Sequence, residues 1–228
     1  MVIQVPVKGY FEENCFIYID EQTNHGFLID PGAQAKILLE LIREHGWVIE
    51  KILLTHGHFD HTGAVNEIRD QLQIPVIAYR TADEYLLDSV KNLSSLCGPA
   101  VVVRNVHYVD DGDRIALEAD PDISLKVIHV PGHTPDSVIY YSERDHVAFS
   151  GDTIFKGSPG TDQFPGGDGR QLLRSICDRI MALPDETVLL SGHSEQTTVG
   201  AERRRYENRR AQNSGIRYDD HGTGNKTL

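Results

Sequence analysis

The sequence has few cysteines, few basic residues and no long hydrophobic run. Its three cysteines, Cys15, Cys97 and Cys177, are too few and too scattered for a disulfide framework. Lysine and arginine number 22 against 34 aspartate and glutamate residues, a formal net charge of −12. So acidic a chain is a poor general binder of nucleic acid. No apolar stretch approaches the length of a membrane span, so neither nucleic acid nor membrane is an expected partner.

The first residues also lack the basic start and apolar stretch of a signal peptide, so the expected localisation is cytoplasmic. The 228 residues, 39% of them hydrophobic, suffice for one sizeable domain with a proper core. We predict a single domain over residues 1–210. Residues 211–228 are polar and without periodicity, which predicts a flexible tail.

Hydrophobic patterning predicts strands interspersed with helices, hence sheets between helical layers. The polar run Glu12-Glu13-Asn14 predicts a turn between the first two strands. Thr81 is expected to cap a short helix, and Gly46 to end a longer one. The predicted strands are 2–7, 15–19, 27–29, 51–54, 76–78, several within 101–141, 147–149 and 187–190; the predicted helices are 33–45, 62–73, 81–90, 170–182 and 199–210.

The segment Thr55-His56-Gly57-His58-Phe59-Asp60-His61 places three imidazoles and one carboxylate within six residues. These side chains bind zinc and iron. In an extended segment His56 and His58 point the same way and reach one ion, while Asp60 and His61 lie where the chain turns and can face a second. The alternative is a solvated polar loop. A buried strand before the motif and a helix start after it favour a ligand-bearing strand-to-helix loop.

Three later strands end in a similar way, each with a glycine followed directly by a potential ligand: His133, Asp152 and His193. Ligands of open α/β sheets bind beyond the carboxyl ends of strands, so these side chains are expected to meet. The seven candidate metal ligands are His56, His58, Asp60, His61, His133, Asp152 and His193.

These motifs, at these intervals, resemble the metallo-β-lactamase superfamily. Asp-Pro-Gly at residues 30–32 and Ser-Gly-Asp-Thr-Ile-Phe at residues 150–155 are similar to the glyoxalase II branch, the hydroxyacylglutathione hydrolases. The resemblance covers residue 2 to about residue 210. It implies an α/β fold, an αββα sandwich of two mixed sheets between helical layers, with a dinuclear metal site at one edge.

The resemblance also implies two divalent metal ions per chain. Zinc is the expected metal, with iron or manganese able to substitute. Asp152 would bridge the ions, and Asp60 and Asp152 would act with a metal-bridging hydroxide, since two ions about 3.5–4 Å apart lower the pKa of a shared water. The implied ligand sets are His56, His58 and His133 for one ion, and Asp60, His61 and His193 for the other.

Such a site suits a small-molecule thioester, such as lactoylglutathione. A thiolate whose conjugate acid has a pKa of about 8.5 leaves without a strong general acid, whereas an amide nitrogen needs protonation. True β-lactamases of this superfamily carry cysteine where this chain has Asp152, which argues against antibiotics as substrates.

The glycine-rich segment 155–169 follows Asp152 and is interpreted either as a substrate-binding loop or as an ordinary surface connection. Phe155, Lys156 and Phe164 are its candidate substrate contacts, with Lys156 supplying positive charge to an anionic substrate. The arginines within residues 203–210 are a second candidate clamp, although a solvated helix face is the favoured interpretation there.

Two further functions stay open. Persulfide dioxygenases resemble the same fold and use one iron, held by the equivalents of His56, His133 and Asp152. Their loop typically carries Arg-Thr-Asp-Phe, whereas residues 160–164 here read Gly-Thr-Asp-Gln-Phe, without the arginine and with one extra residue. A non-catalytic metal-binding module is the third hypothesis, and the complete ligand set argues against it.

Overall fold

Two six-stranded sheets form the centre of the structure, a computed structural model that describes the backbone of residues 1–214 and the side chains of residues 1–206. In the first sheet the strands stand in sequence order; the first three pair antiparallel and the rest parallel. They are β1 (Val2–Lys8), β2 (Glu12–Ile19), β3 (His25–Ile29), β4 (Val48–Leu53), β5 (Val76–Tyr79) and β6 (Val106–Val109).

The second sheet is built from the later part of the chain. Its strands are β7 (Arg114–Ala116), β8 (Ser124–His129), β9 (Val138–Ser142), β10 (Val147–Gly151), β13 (Val188–Ser191) and β14 (Thr197–Thr198), and a separate hairpin pairs β11 (Ile154–Phe155) with β12 (Ser158–Pro159). The spatial order is β14-β13-β10-β9-β8-β7, and only β10 and β13 pair parallel.

Helices cover the outer faces of both sheets. They are α1 (Ala35–His45), α2 (Phe59–Thr62), α3 (Val65–Leu72), α4 (Asp83–Leu86), α5 (Ser94–Cys97), α6 (Gly169–Ser175), which continues as a π-helical turn at Ile176–Ile180, and α7 (Val199–Ser214). Leu38 of α1 and Ile68 of α3 pack on the first sheet, and Leu172 of α6 and Val199 of α7 on the second. The predicted αββα sandwich is therefore confirmed.

Alternation along the strands creates the layer between the sheets. On β2, Phe16 and Tyr18 face the second sheet, whereas Ile17 packs on the helical side. Both inward rings contact Phe149 of β10, with centroid separations of 5.5 and 6.0 Å. This apolar layer aligns the two sheets and fixes the edge at which their strands end.

Two local predictions are wrong. The polar residues Glu12, Glu13 and Asn14 begin β2 and are not a turn, because Glu13 is buried and the Asn14 amide donates to the Gly192 carbonyl. Thr81 does not cap α4, which starts after Ala82 without a side-chain cap and ends at Leu86, short of the predicted end at residue 90.

The predicted domain boundary at residue 210 falls within the last helix. Helix α7 continues to Ser214, beyond the predicted boundary at 210, and the remainder of the predicted tail lies outside the described residues. In the part of the chain that is described, no helix has the length and apolar character needed to cross a membrane. The single domain over residues 1–210 stays a prediction.

Candidate metal centre

Four strands deliver the candidate ligands to one edge of the sandwich. His56 follows β4, and the other three sites follow β8, β10 and β13. Because β8 and β10 are both antiparallel to β9, and β13 is parallel to β10, these three carboxyl ends point the same way. The structure brings all seven candidate side chains together there.

Three histidines form the first candidate ligand set. Nε2 of His56 and Nε2 of His133 each lie 3.0 Å from Nδ1 of His58. Tetrahedral ligands at zinc distances of 2.0–2.1 Å are separated by about 3.3 Å, so the three nitrogens converge as ligands of one ion would. All three side chains are buried.

The second set lies beside the first, and Asp152 joins them. His193 Nε2 is 3.1 Å from Asp60 Oδ2. Asp152 Oδ1 is 3.4 Å from His61 Nε2, while its Oδ2 is 3.5 Å from His193 Nε2 and 3.8 Å from His133 Nε2. One carboxylate thus faces both sets of imidazoles, which is the arrangement of a bridging ligand.

In two of the histidine rings, the nitrogen that faces away from the cluster makes a hydrogen bond that agrees with the assignment of the other nitrogen as a metal ligand. His133 Nδ1 donates to the Thr161 carbonyl, and His193 Nδ1 to the Glu12 carbonyl, both at 2.7 Å. A carbonyl oxygen only accepts, so each Nδ1 carries the proton and each Nε2 turns its lone pair toward the cluster.

Two buried atoms of the cluster also favour a cation between them. His61 Nε2 and Asp152 Oδ1 are buried and make no hydrogen bond to any described residue. Buried polar atoms in this state are costly unless a cation binds them. The residues present therefore fit a divalent metal pair.

The protonation state of the three histidines in the first set favours metal binding. Burial lowers the pKa of His56 and His133, and burial followed by repulsion from His133 lowers that of His58 to about 3. The three rings are neutral at pH 7, so each has a lone pair to offer without losing a proton. Burial acts to raise the pKa of Asp152, but His61 outweighs it and holds that carboxyl ionised.

Asp30 and Thr55 support the cluster from behind, and the sequence analysis missed this role. Asp30 accepts hydrogen bonds from the Thr55 amide at 2.8 Å and hydroxyl at 2.6 Å, and lies 3.0 Å from His61 Nδ1. Its carboxylate orients the His61 ring. The Asp-Pro-Gly motif was a usable signal, but it served only as part of the family resemblance, and no role was assigned to Asp30.

Glu13 is a second residue that the sequence analysis missed. Its carboxyl is buried 3.8 Å from His61 Nδ1, and burial raises its pKa well above the usual range. Glu13 and Asp30 form an acidic pair behind the candidate ligand His61. No sequence signal identified it, because two consecutive glutamates are typical of a solvated turn.

Gly192 leaves room for the ligands. A Cβ atom there would lie 2.5 Å from His61 Cε1 and 2.7 Å from Asp152 Oδ1. A larger residue would push the two side chains out of position, so the glycine before His193 is a steric requirement of the cluster.

Two of the three candidate substrate contacts lie near the cluster. The Phe164 ring is 5.6 Å from that of His58, and the Phe155 ring 6.3 Å from that of His193. Lys156 Nζ is 2.5 Å from a Glu195 carboxylate oxygen, so its charge is already engaged.

The segment that carries these residues is anchored. Tyr85 Oη donates to the Pro165 carbonyl at 2.7 Å, and the Gly157 amide donates to the Glu202 carboxylate at 3.2 Å. Glu202 is buried, contrary to the interpretation of its helix as a solvated face.

The arginines of the candidate clamp make different contacts and do not act as one group. Arg203 binds the carbonyls of Met181 and Leu183 and supports the fold. Arg205 lies against Gly157 and pairs with Glu202 at 3.6 Å. The side chains of Arg209 and Arg210 lie outside the described residues.

Comparison with known proteins identifies the family. The sequence profile of the metallo-beta-lactamase superfamily matches residues 10–193, which include every candidate ligand. The chain belongs to the metallo-β-lactamase superfamily. Among relatives of this superfamily, hydroxyacylglutathione hydrolase GloC of Haemophilus influenzae is 30% identical over 203 residues, covering 88% of this chain and 93% of that protein.

Solved structures of the superfamily agree. BLEG-1 B3 metallo-beta-lactamase has a TM-score of 0.83 and 34% identity, covering 89% of this chain and 96% of that chain. TTHA1623 in a di-iron-bound form has a TM-score of 0.75 and 32% identity, and the match covers 89% of this chain and 97% of that chain. The chain thus carries the fold of a metal-dependent hydrolase family and a His/Asp cluster able to bind metals.

The buried carboxyl of Asp136, beside the loop that carries His56 and His58, leads to a prediction about the pH dependence of stability. Asp136 lies against Gly57, and burial raises its pKa from 3.8 to about 6. A carboxyl with a raised folded-state pKa binds its proton more tightly in the folded protein, so its contribution to stability is lost as pH rises from about 4 to about 6. The shift corresponds to about 3 kcal/mol.

We therefore expect Asp136→Asn to remove this loss. Urea unfolding of chelator-treated protein should show the stability difference between variant and wild type growing by about 3 kcal/mol between pH 4 and pH 7. Asp70→Asn, at an exposed position on α3, is the matched control. Parallel pH profiles for wild type and Asp136→Asn would contradict the prediction.

Proposed function

We propose that this chain is a metal-dependent thioesterase of the glyoxalase II type, acting on an acyl-thiol with lactoylglutathione as the reference substrate. The observation that carries the proposal is the position of Asp152, whose carboxylate faces His133 of the first set and both His61 and His193 of the second. When bound there, two divalent ions, with zinc the expected metal, supply a nucleophilic water near neutral pH and polarise the substrate carbonyl.

The chain's own residues orient and admit the substrate. The side chains of Asp60 and His193 remain 11% and 23% exposed, whereas His61 is fully buried. A substrate therefore enters at the Asp60–His193 side. Phe164 of the anchored segment 155–169 borders the site beside the first set, where its ring lies edge-on to His58. The leaving thiolate needs no proton donor, which suits a site composed of metal ligands.

A substrate panel tests this proposal. The purified chain, with its metal content measured, is incubated with lactoylglutathione, with a chromogenic cephalosporin, and with glutathione persulfide under an oxygen electrode. A thioesterase releases free thiol from the first and consumes no oxygen. Cephalosporin cleavage alone would establish a lactamase, and oxygen uptake with persulfide by protein holding one iron would establish a dioxygenase. Either of these two results overturns the proposal.

The pairing of Lys156 makes a specific prediction for anionic substrates. Glu195→Gln should free Lys156 and lower the KM for lactoylglutathione about two- to fivefold, the scale of an exposed ion pair, with the effect shrinking at high salt. Glu143→Gln breaks a comparable surface pair with Arg114 and is the control. Initial rates at several salt concentrations measure the effect. An unchanged KM for Glu195→Gln would remove Lys156 from the list of substrate contacts.

A further inference from the structure

Aromatic side chains gather at the mouth of the metal centre and remain in contact with solvent. Tyr10, Phe11 and Phe164 are 64%, 42% and 38% exposed, and Phe59 is half-buried. We call these four residues the aromatic rim. Exposed aromatic rings that cluster beside a site mark a binding surface more often than an accident of the surface.

The rim is continuous with the ligands. Phe59 stands between His58 and Asp60 in the chain, and its ring lies 6.4 Å from that of Tyr10 and 6.1 Å from that of Phe11. Phe11 directly precedes Glu12, whose carbonyl holds the His193 ring. Phe164 approaches His58 edge-on from the other side. A substrate whose reacting carbonyl reaches the cluster therefore extends across aromatic rings.

The charges near the site disfavour an anionic substrate. Lys156 is paired with Glu195, and Arg205 with Glu202. Arg205 lies against Gly157, next to Lys156 in the chain, so these two candidate partners for the carboxylates of glutathione each already have an acidic partner. The chain as a whole carries a net charge of −12, which repels an anion.

We propose that the preferred substrates are uncharged thioesters with an aromatic or long aliphatic acyl group, which the aromatic rim binds. This inference rests on the proposed thioesterase function and narrows its substrate class. In the reaction the oxygen of water bonds to the acyl carbon and the C–S bond breaks with its electron pair on sulfur. One water proton ends on the thiol and the other is released from the carboxylic acid product. No oxidant or cosubstrate is needed.

The test compares two uncharged substrates that share one leaving group, S-phenylacetyl- and S-acetyl-N-acetylcysteamine, with lactoylglutathione as the anionic reference. We expect the metal-loaded chain to show a kcat/KM about tenfold or more higher for the phenylacetyl substrate than for the acetyl one, mainly through KM. The double variant Tyr10→Ala/Phe11→Ala should lower that ratio about tenfold.

The control variant is Tyr108→Ala, which removes an aromatic ring that is 42% exposed, as Phe11 is, but lies on β6. It should keep the wild-type ratio. A preference for lactoylglutathione, or a ratio unaffected by the double variant, would overturn the rim proposal while leaving the thioesterase standing. A dimer that dissociates in the double variant, seen by sedimentation, would overturn it as well, because the rim would then be a subunit interface.

A binding measurement separates this inference from the proposed function. The thioether S-(2-phenylethyl)-N-acetylcysteamine cannot be hydrolysed, and calorimetry reports its binding whether or not the chain cleaves thioesters. Binding that weakens about tenfold in the double variant supports the rim even if no thioester is cleaved. Equal binding by wild type and double variant refutes the rim, whatever the activity.

Discussion

Asp152→Ala is expected to release both metals and to reduce thioester hydrolysis about a thousandfold or more. The carboxylate faces His61 with one oxygen and His133 and His193 with the other, so its loss removes a ligand from each set at once. It also removes a negative charge that would offset the charge of a cation bound by the buried imidazoles. Metal content by elemental analysis and thiol release measure the two effects.

Two further variants make that result interpretable. Asp70→Ala removes an exposed carboxylate on α3 and should retain metal and turnover. Asp152→Cys should keep part of the metal with a shifted metal preference, because thiolate is a softer ligand. Two tightly bound metals and normal turnover in Asp152→Ala would exclude the bridging role.

His193→Ala is expected to reduce the metal content from two ions per chain to one and to lower hydrolysis at least about a hundredfold. The His193 side chain is 23% exposed and follows the end of β13, so its removal leaves no cavity in the core. The fold and the first ligand set should persist, as near-UV circular dichroism and metal analysis would show.

The same variant discriminates between the two enzyme hypotheses. A mononuclear iron dioxygenase does not need the second set, and its oxygen uptake with persulfide should survive His193→Ala. His107→Ala, an exposed histidine on β6, is the control for loss of an imidazole. Full thioesterase activity in His193→Ala would show that the second ligand set is not catalytic.

Much of the fold was accessible from the sequence because its signals are local. The apolar run of β2, the partial alternation of β8 and the helical stripe of α1 each report one element's own burial. Gly46 ends α1 in the left-handed conformation, with φ of 67°, as a glycine at that position predicts. The polar start of β2 was missed because Glu13 is buried by a distant loop.

The candidate ligands were accessible for a different reason. His56, His58, Asp60 and His61 are close in the chain, and the remaining three each follow a strand and a glycine. Such patterns indicate the candidate ligands but not the residues that hold the ligand side chains in position. Asp30 and Glu13 act through His61, which is 31 and 48 positions away from them respectively, so only folded proximity shows their role.

The sequence by itself determined the layered architecture, the superfamily resemblance and the candidate ligands, since periodicity and spacing are properties of the chain. Only the tertiary structure decided which residues hold the ligand rings, and that Lys156 and Arg205 are already paired. It alone also brought Tyr10 and Phe11 of the first hairpin against Phe59 of the metal loop. The physical reason is that burial, ion pairing and ring contacts arise between segments whose separation along the chain carries no local signal.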